Sequence, residues 1–575
     1  MSPEGYFNSY YQNVEPHQRW TRRENHELYC AGHLIEGAVA YYEALGKRRF
    51  LDIMLKYAEY IYKIFVVDKS AQFVTPGHEE IELALVRLWH CTGNRKWLDL
   101  ASHFIKLRGT EPSELCFNVW FSSNYAQDQA PVADQQTAEG HVVRFGYLFC
   151  AVADLAKETR DAALLEACRR VWRDVVSKKL YVTGGVGNMK HGEAFGPAYL
   201  LPNFEAYTET CASIALAFFG RRLSAIDPAG EYADVCELEL YNGALAGISL
   251  DGRGFFYENP LSLRPSDQRF MNENKASGRP VQRVEVFSCS CCPPNILRML
   301  TSVGDWMYGV GTGTVDRVVT GIVDSKNIGG SESYGVRTGA GDSKSAGGSE
   351  IDGVGTGAAN GGPVIYVHQF ASSEARIKLP QVTGDVAVTL TQKTRYPWNG
   401  RVELKINTPA SVNAAIALRV PGWLQGEPYV NYPCKKYGGY LYINKIWDDG
   451  DRIIYDLPME ISEIESNPFV AQDAGRVALM RGPLVFCVEG ADNGECLEDL
   501  LLPADAQYEP VWDESLFGGV IKLKFWAYRR KHFDALYRKW SPEYEKAEIV
   551  AVPYYAWGNR NEGEMAVWLR KNAKL

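Results

Sequence analysis

The chain has 575 residues, 46% hydrophobic and 23% charged, which is the composition of a globular protein too long for one small core. Its 70 acidic against 61 basic residues leave a formal net charge of -9, and that balance excludes the concentrated basic face of a nucleic-acid binder. No run approaches the roughly 18 apolar residues of a membrane span. Met1-Ser2-Pro3-Glu4-Gly5 lacks the basic and apolar regions of a signal peptide, so a cytoplasmic protein is expected. Thirteen cysteines are too dilute for a disulfide scaffold. Most stand singly in apolar stretches, as Cys150 does in Tyr147-Leu148-Phe149-Cys150-Ala151, and fit reduced thiols.

The first three hundred residues read as successive helices. Ala31 to Ala44 carries apolar residues at helical spacing and is followed by Gly46 as a stop. The pattern returns over Phe50 to Phe65, Glu79 to His90 before Gly93-Asn94, Gly140 to Leu155, Ala162 to Val176, and Glu209 to Leu223. Such lengths joined by short polar loops predict a layer of helical hairpins. Pro76-Gly77 followed by His78-Glu79-Glu80 reads as a helix start whose carboxylates face the helix dipole.

Beyond residue 364 the period changes to two. Val386 to Thr391, Val402 to Ile406 and Ala415 to Val420 alternate, with turn signals at Asn399-Gly400 and Pro421-Gly422, and predict a β-sandwich. Val552 to Trp557 and Met565 to Leu569 also read as strands. Between the two regimes, residues 324–341 recur as 342–359 with identity at twelve of eighteen positions, rich in Gly and Ser. A segment so poor in large apolar residues cannot offset its ordering entropy, so Gly309 to Gly362 is expected to be a flexible insertion without chemistry.

The most unusual local feature is Val286-Phe287-Ser288-Cys289-Ser290-Cys291-Cys292-Pro293-Pro294-Asn295. Adjacent side chains diverge, so one apolar pocket does not serve both Cys291 and Cys292. A metal ion does, because it prefers thiolate and accepts ligands from different directions. The competing reading is a buried turn with reduced structural thiols. A second candidate is Tyr207-Thr208-Glu209-Thr210-Cys211-Ala212 at a helix start, where Glu209 and Cys211 can converge on one ion. Together with Cys291 and Cys292 they make a thiolate-rich four-ligand set suited to zinc, although spacing alone does not force these distant segments together.

Other motifs are weaker. His26-Glu27-Leu28-Tyr29-Cys30 imitates H-E-x-x-H, but Cys30 stands where the second histidine belongs, which argues against a zinc protease. His26 and His33 share a helix face, the simplest reading being one polar and one core histidine. His141 is equally ambiguous. Gly184-Gly185-Val186-Gly187 lacks the Lys-Ser/Thr ending of a phosphate loop and is set aside. Glu193, between Gly192 and Gly196, sits on a loop where a general acid can reach a substrate, or where a lone surface carboxylate needs no role.

Taken together these pieces resemble the β-L-arabinofuranosidases of the zinc–cysteine type, glycoside hydrolase family 127, formerly a domain of unknown function. The matching segments are His26 to His33, Gly77-His78-Glu79-Glu80-Ile81-Glu82, Gly140-His141-Val142-Val143-Arg144 and Tyr181-Val182-Thr183-Gly184-Gly185. They continue with Leu201-Pro202-Asn203, Glu209-Thr210-Cys211-Ala212 and Cys291-Cys292-Pro293-Pro294-Asn295. In the β half, Tyr396-Pro397-Trp398-Asn399-Gly400, Arg481-Gly482-Pro483-Leu484 and Tyr555-Ala556-Trp557 match too. The joint occurrence of E-T-C-A and C-C-P-P-N in this order is highly specific.

The resemblance implies a multidomain α and β protein. An (α/α)6-barrel catalytic domain over 1–308 is expected to lack its N-terminal helices, because relatives carry further residues before the counterpart of Gly5-Tyr6-Phe7-Asn8. It is followed by the insertion at 309–362, a β-sandwich at 363–490 and a β-rich segment at 491–575. It implies zinc held by Glu209, Cys211, Cys291 and Cys292, with Cys291 also the nucleophile and Glu193 the general acid/base. His26, His78, His141 and Tyr257 fall where relatives hydrogen-bond the sugar. The expected activity is retaining, exo-acting removal of terminal β-L-arabinofuranosyl or related residues. A carbohydrate substrate and a homodimer are expected as partners, with no nucleic acid and no membrane. The alternatives are a catalytically inactive, zinc-stabilised carbohydrate-binding or structural homologue and, more weakly, a redox thiol protein.

Overall fold

Short helix α1 (Ser9–Asn13), capped by the Asn8 side chain accepting from the amides of Tyr10 and Tyr11, leads into three helix pairs. These are α2 (Glu27–Leu45) with α3 (Arg49–Tyr62), α4 (Ile81–Thr92) with α5 (Arg95–Leu107), and α6 (Val142–Thr159) with α7 (Ala162–Lys178). The computed structural model describes residues 1–110, 123–274, 278–312, 319–322, 362–379 and 384–572. Two compact units divide the chain, residues 1–179 with 186–198, and residues 180–185 with 199–575.

In the first unit, α2 packs on α3 and α4, α4 on α5 and α6, and α6 on α7. Composition explains which helices lie inside. Nearly every residue of α6 from Val142 to Ala156 is buried, whereas α7 buries Leu164, Ala167, Cys168, Val171, Trp172 and Val175 at helical spacing and shows water its polar side. Gly46 and Gly93, both left-handed, end α2 and α4 where the sequence placed the stops. One expectation needs correction. The helix start is where it was expected, with Glu80 as the N-cap of α4, but the carboxylates of Glu79 and Glu80 are paired rather than aimed at a dipole. Arg108, fully buried, lies 2.9 Å from Glu79, 3.3 Å from Glu82 and 3.5 Å from Asp128. Glu80 sits 3.1 Å from His33.

The second unit opens with α8 (Thr210–Ser224), which packs on α9 (Gly230–Leu238) and on α11 (Cys292–Ser302). Along the chain, α10 (Pro265–Glu273) falls between α9 and α11. Two sheets follow. One has six strands in the order Lys435–Tyr437, Tyr440–Trp447, Val412–Arg419, Pro363–Val367, Tyr308–Thr312, Val319–Ile322. The other has five, Ser373–Leu379, Val386–Thr394, Arg401–Asn407, Arg452–Asp456 and Tyr429–Val430. Period-two burial sends Val402, Leu404 and Ile406 of one sheet into the same core as Ile416, Leu418, Leu441 and Ile443 of the other. Arg419, also buried, pairs with Asp234 and Glu237 of α9 and donates from Nε to the His368 carbonyl at 2.6 Å.

Two expected boundaries are overturned. Tyr308–Thr312 and Val319–Ile322 are strands of the six-stranded sheet, so 309–312 and 319–322 are not part of a structureless linker. The tandem repeat at 324–359 lies outside the described residues. The break expected at 490 lies instead before Ile461. From Ile461–Ile464 onward the strands belong to a separate ten-stranded sheet, in which Leu484–Glu489 pairs with Tyr544–Pro553 and with Met565–Ala566. Ser262–Leu263 joins this sheet through Met565–Ala566. The segment Val552 to Trp557 is a strand only as far as Pro553 and then turns through Tyr554–Ala556.

Candidate active site

Two helix N-termini in the second unit carry the sulfur-rich cluster. Glu209 caps α8, with Cys211 in its first turn, and Cys291 caps α11, whose first residue is Cys292. Pro293 and Pro294 follow within the first turn of α11, where a missing N–H costs no intrahelical bond. The ligand atoms of Glu209, Cys211, Cys291 and Cys292 all lie within 4.8 Å of one another. Sulfur–sulfur separations are 3.6 Å for Cys211–Cys292 and 3.8 Å for Cys291–Cys292, and Cys291 Sγ lies 3.6 Å from Glu209 Oε1.

These spacings test the metal reading. A disulfide needs sulfurs about 2.05 Å apart. A tetrahedral ion with bonds of about 2.3 Å to sulfur and about 2.0 Å to oxygen sets the sulfurs roughly 3.8 Å apart and sulfur and oxygen roughly 3.5 Å apart. The residues present fit a four-coordinate, thiolate-rich metal site. Burial pushes the thiols of Cys211 and Cys292 well up, and the hydrogen bond with Cys211 pushes Cys291 up as well. A cation is what would keep such thiols ionised, aided by the two helix N-termini. Cys211 and Cys292 are buried, whereas Cys291 is half-buried and Cys289 is exposed, outside the four-ligand set.

The approach to Glu209 is held by its neighbours. Thr210 N donates to the Tyr257 carbonyl at 3.0 Å, its hydroxyl donates to the Phe256 carbonyl at 2.9 Å, and Glu209 bridges to Glu258. Gly185 explains the Thr-Gly-Gly motif without any phosphate. A Cβ there would come 2.8 Å from the Thr208 side chain, so the glycine permits the turn that delivers Glu209. Tyr257, half-buried, faces Tyr207 and Phe287 with ring centroids 6.0 and 5.7 Å away.

In the first unit the three expected histidines form a row. Ring centroids are 5.8 Å apart for His26–His78 and 5.6 Å for His78–His141, with Tyr29 at 4.3 Å from His78. His26 Nδ1 donates to the Glu24 carbonyl at 2.5 Å and His78 Nδ1 to the Glu79 carbonyl at 2.9 Å, so each neutral ring keeps Nε2 as its acceptor. Burial holds His78 well below the usual imidazole range. His141 Nε2 lies 2.7 Å from Glu193 Oε2.

The sequence missed several of the supporting groups. His33 is not a core histidine but a partly exposed partner of Glu80. Arg144, read only as part of a matching segment, sends its guanidinium to the Gly77 carbonyl and its backbone N–H to His141. Tyr29 had a usable signal, because its spacing of three from His26 and four from His33 shares their helix face. The partnership of Arg108 with Glu79 had none, since the two are far apart in sequence.

Comparison with known proteins places the chain in a family. The family model for the β-L-arabinofuranosidase family 127 catalytic domain matches residues 2–305, that for the middle domain 364–459, and that for the C-terminal domain 461–570. The chain is 33% identical over 584 residues to a non-reducing end β-L-arabinofuranosidase of Bifidobacterium longum subsp. longum, covering 96% of this chain and 79% of that protein. A crystal structure of a family 127 β-L-arabinofuranosidase from Geobacillus stearothermophilus T6 is 38% identical, covers 100% of this chain and 84% of its own, and superposes with a TM-score of 0.85. A second solved β-arabinofuranosidase of the family is 32% identical, with coverage of 100% and 82% and a TM-score of 0.80. The chain belongs to glycoside hydrolase family 127. As a glycoside hydrolase it acts on carbohydrate, and among the described residues no helix is long and apolar enough to cross a membrane.

Proposed function

We propose that the protein is a retaining exo-glycosidase that removes non-reducing terminal β-L-arabinofuranosyl residues, with Cys291 as nucleophile and Glu193 as general acid/base. The observation that carries this reading is a Glu-Cys-Cys-Cys cluster whose ligand atoms all lie within 4.8 Å of one another and in which Cys291 is the least buried of the three thiols. Zinc is the ion best matched to that donor set, and when bound to Glu209, Cys211, Cys291 and Cys292 it would keep the thiols as thiolates at neutral pH. The inner and outer helix pairs support an (α/α)6 barrel as the catalytic scaffold.

The residues divide the work as follows. Cys291 Sγ attacks the anomeric carbon while Glu193 gives its proton to the departing aglycone oxygen, so the C–O bond breaks as C–S forms. Water then attacks the same carbon, gives a proton to the Glu193 carboxylate, and the sulfur leaves with its electron pair. Two inversions give net retention, as in glycosidases that use two carboxylates. His26 and His78 offer acceptor nitrogens to sugar hydroxyls, and Tyr257 offers a phenol and a ring face.

The test is release of nitrophenol from p-nitrophenyl β-L-arabinofuranoside. Wild type should turn over, and Cys291→Ala should reduce kcat to background while the fold persists. Metal content and sugar binding without turnover in the wild type would instead support a binding or structural homologue.

A further inference from the structure

We infer that His141 is a positioning residue for Glu193, holding Oε2 by a donated hydrogen bond so that the proton exchanged in catalysis resides on Oε1. This rests on Glu193 being the acid/base. The argument begins at the other nitrogen of the ring. His141 caps α6, and its Nδ1 accepts the backbone N–H of Arg144 at 3.3 Å. A nitrogen that accepts carries no proton. Burial holds His141 below the usual imidazole range, so the ring is neutral and its single proton is on Nε2. Nε2 therefore donates to Glu193 Oε2, 2.7 Å away. This tautomer is opposite to that of His26 and His78, which donate from Nδ1 to carbonyls.

The backbone is built to keep this contact. Glu193 has φ +51°, a left-handed conformation that side-chain-bearing residues rarely adopt. The loop is clamped on its C-terminal side. Met189 and Ala194 exchange backbone hydrogen bonds of 3.1 and 3.0 Å, His141 bridges to Ala194, and Phe195 N donates to the Gly140 carbonyl at 3.0 Å. Arg144, whose amide sets the tautomer, is itself fixed by the Gly77 carbonyl and lies over the Tyr125 ring at 4.5 Å.

The chemical consequence concerns the two carboxyl oxygens. An Oε2 that accepts Nε2–H has no room for a proton directed at His141. In the acid step Oε1–H therefore protonates the leaving oxygen. In the second step Oε1 takes the proton from water, and the Oε2 contact persists through both. Without the donor, the carboxyl rotates and its proton is shared between two oxygens, one of them misdirected.

The experiment compares leaving groups, because a nitrophenolate departs without much help and an alkoxide does not. Wild type, His141→Leu, His141→Asn, His141→Gln and Glu193→Ala are assayed on p-nitrophenyl and methyl β-L-arabinofuranosides, with metal content and circular dichroism as controls. His141→Leu should lose on the order of 10²-fold in kcat on the methyl glycoside, within the range of general acid catalysis, and only a few-fold on the nitrophenyl glycoside. His141→Gln, which can present an N–H in place of Nε2–H, should recover most of the loss. His141→Asn keeps a polar side chain but draws the donor back and should not, which keeps the test intact if the leucine variant fails to fold. Equal losses on both substrates, carried in KM, would make His141 a sugar-binding residue and overturn the inference. If Glu193→Ala is selectively impaired on the methyl glycoside while the His141 variants are not, the inference alone fails. If Glu193→Ala is unimpaired on both substrates, the acid/base assignment falls, and the inference with it.

Discussion

Cys291 and Cys292 reach one cluster because helix α11 begins between them, with one residue as the cap and the next in the first turn. Their geometry makes a sharp prediction about reactivity. Before chelation, a thiol reagent should modify only exposed cysteines such as Cys30, Cys289, Cys434 and Cys496; after chelation, Cys211, Cys291 and Cys292 should join them. Mass mapping of labelled peptides checks this, and equal labelling of the three with and without chelator would argue for an ordinary thiol cluster. Cys292→Ser should lower bound metal well below one equivalent, measured by elemental analysis. The Cys-Cys-Pro-Pro run was legible because its oddity is local. That Glu209 and Cys211 complete it followed from resemblance, since no spacing rule links segments about eighty residues apart. The contact of His141 with Glu193, 52 residues away, was not legible at all.

Among the elements, the helix pairs could be read from their 3.6-residue period and their glycine stops, because an inner–outer arrangement writes itself into which faces are apolar. Polar burial between helices is not written that way. Glu79 looked like a helix-start carboxylate, yet it and Glu82 surround Arg108, and burial pushes Glu79 up to about 7. Removing the cation strands carboxylates away from water. Arg108→Met should destabilise the helical unit by about 3–5 kcal/mol, read as a lowered midpoint in denaturant or heat. A change below about 1 kcal/mol would mean that the carboxyls are simply protonated in the fold. The boundary before Ile461 was missed for a related reason. Strands on either side share the same alternation, and only pairing shows which sheet each one joins.

Across the whole molecule, buried carboxyls give the fold a pH dependence of stated sign. In the second unit Glu237, beside Arg419 and accepting from Tyr396 at 3.0 Å, is pushed up to about 8 by burial, and Asp234 up to about 6. A carboxyl whose folded pKa is raised stabilises the fold fully below its unfolded value near 4.5, and that stability is lost as pH rises through the folded value. The thermal midpoint should therefore fall between about pH 5 and pH 8. Glu237→Gln should flatten that slope, and an unchanged slope would assign it to other groups. By itself the sequence determined the helical and β regimes, the metal-type cysteine run and, through joint motifs, the family. These are local or ordered patterns that survive in one dimension. The tertiary structure alone decided that four ligand atoms meet within 4.8 Å of one another, that the strands from 461 onward join a separate sheet, and that His141 faces Glu193. Each of these depends on distances between residues far apart along the chain, which periodicity and composition do not encode.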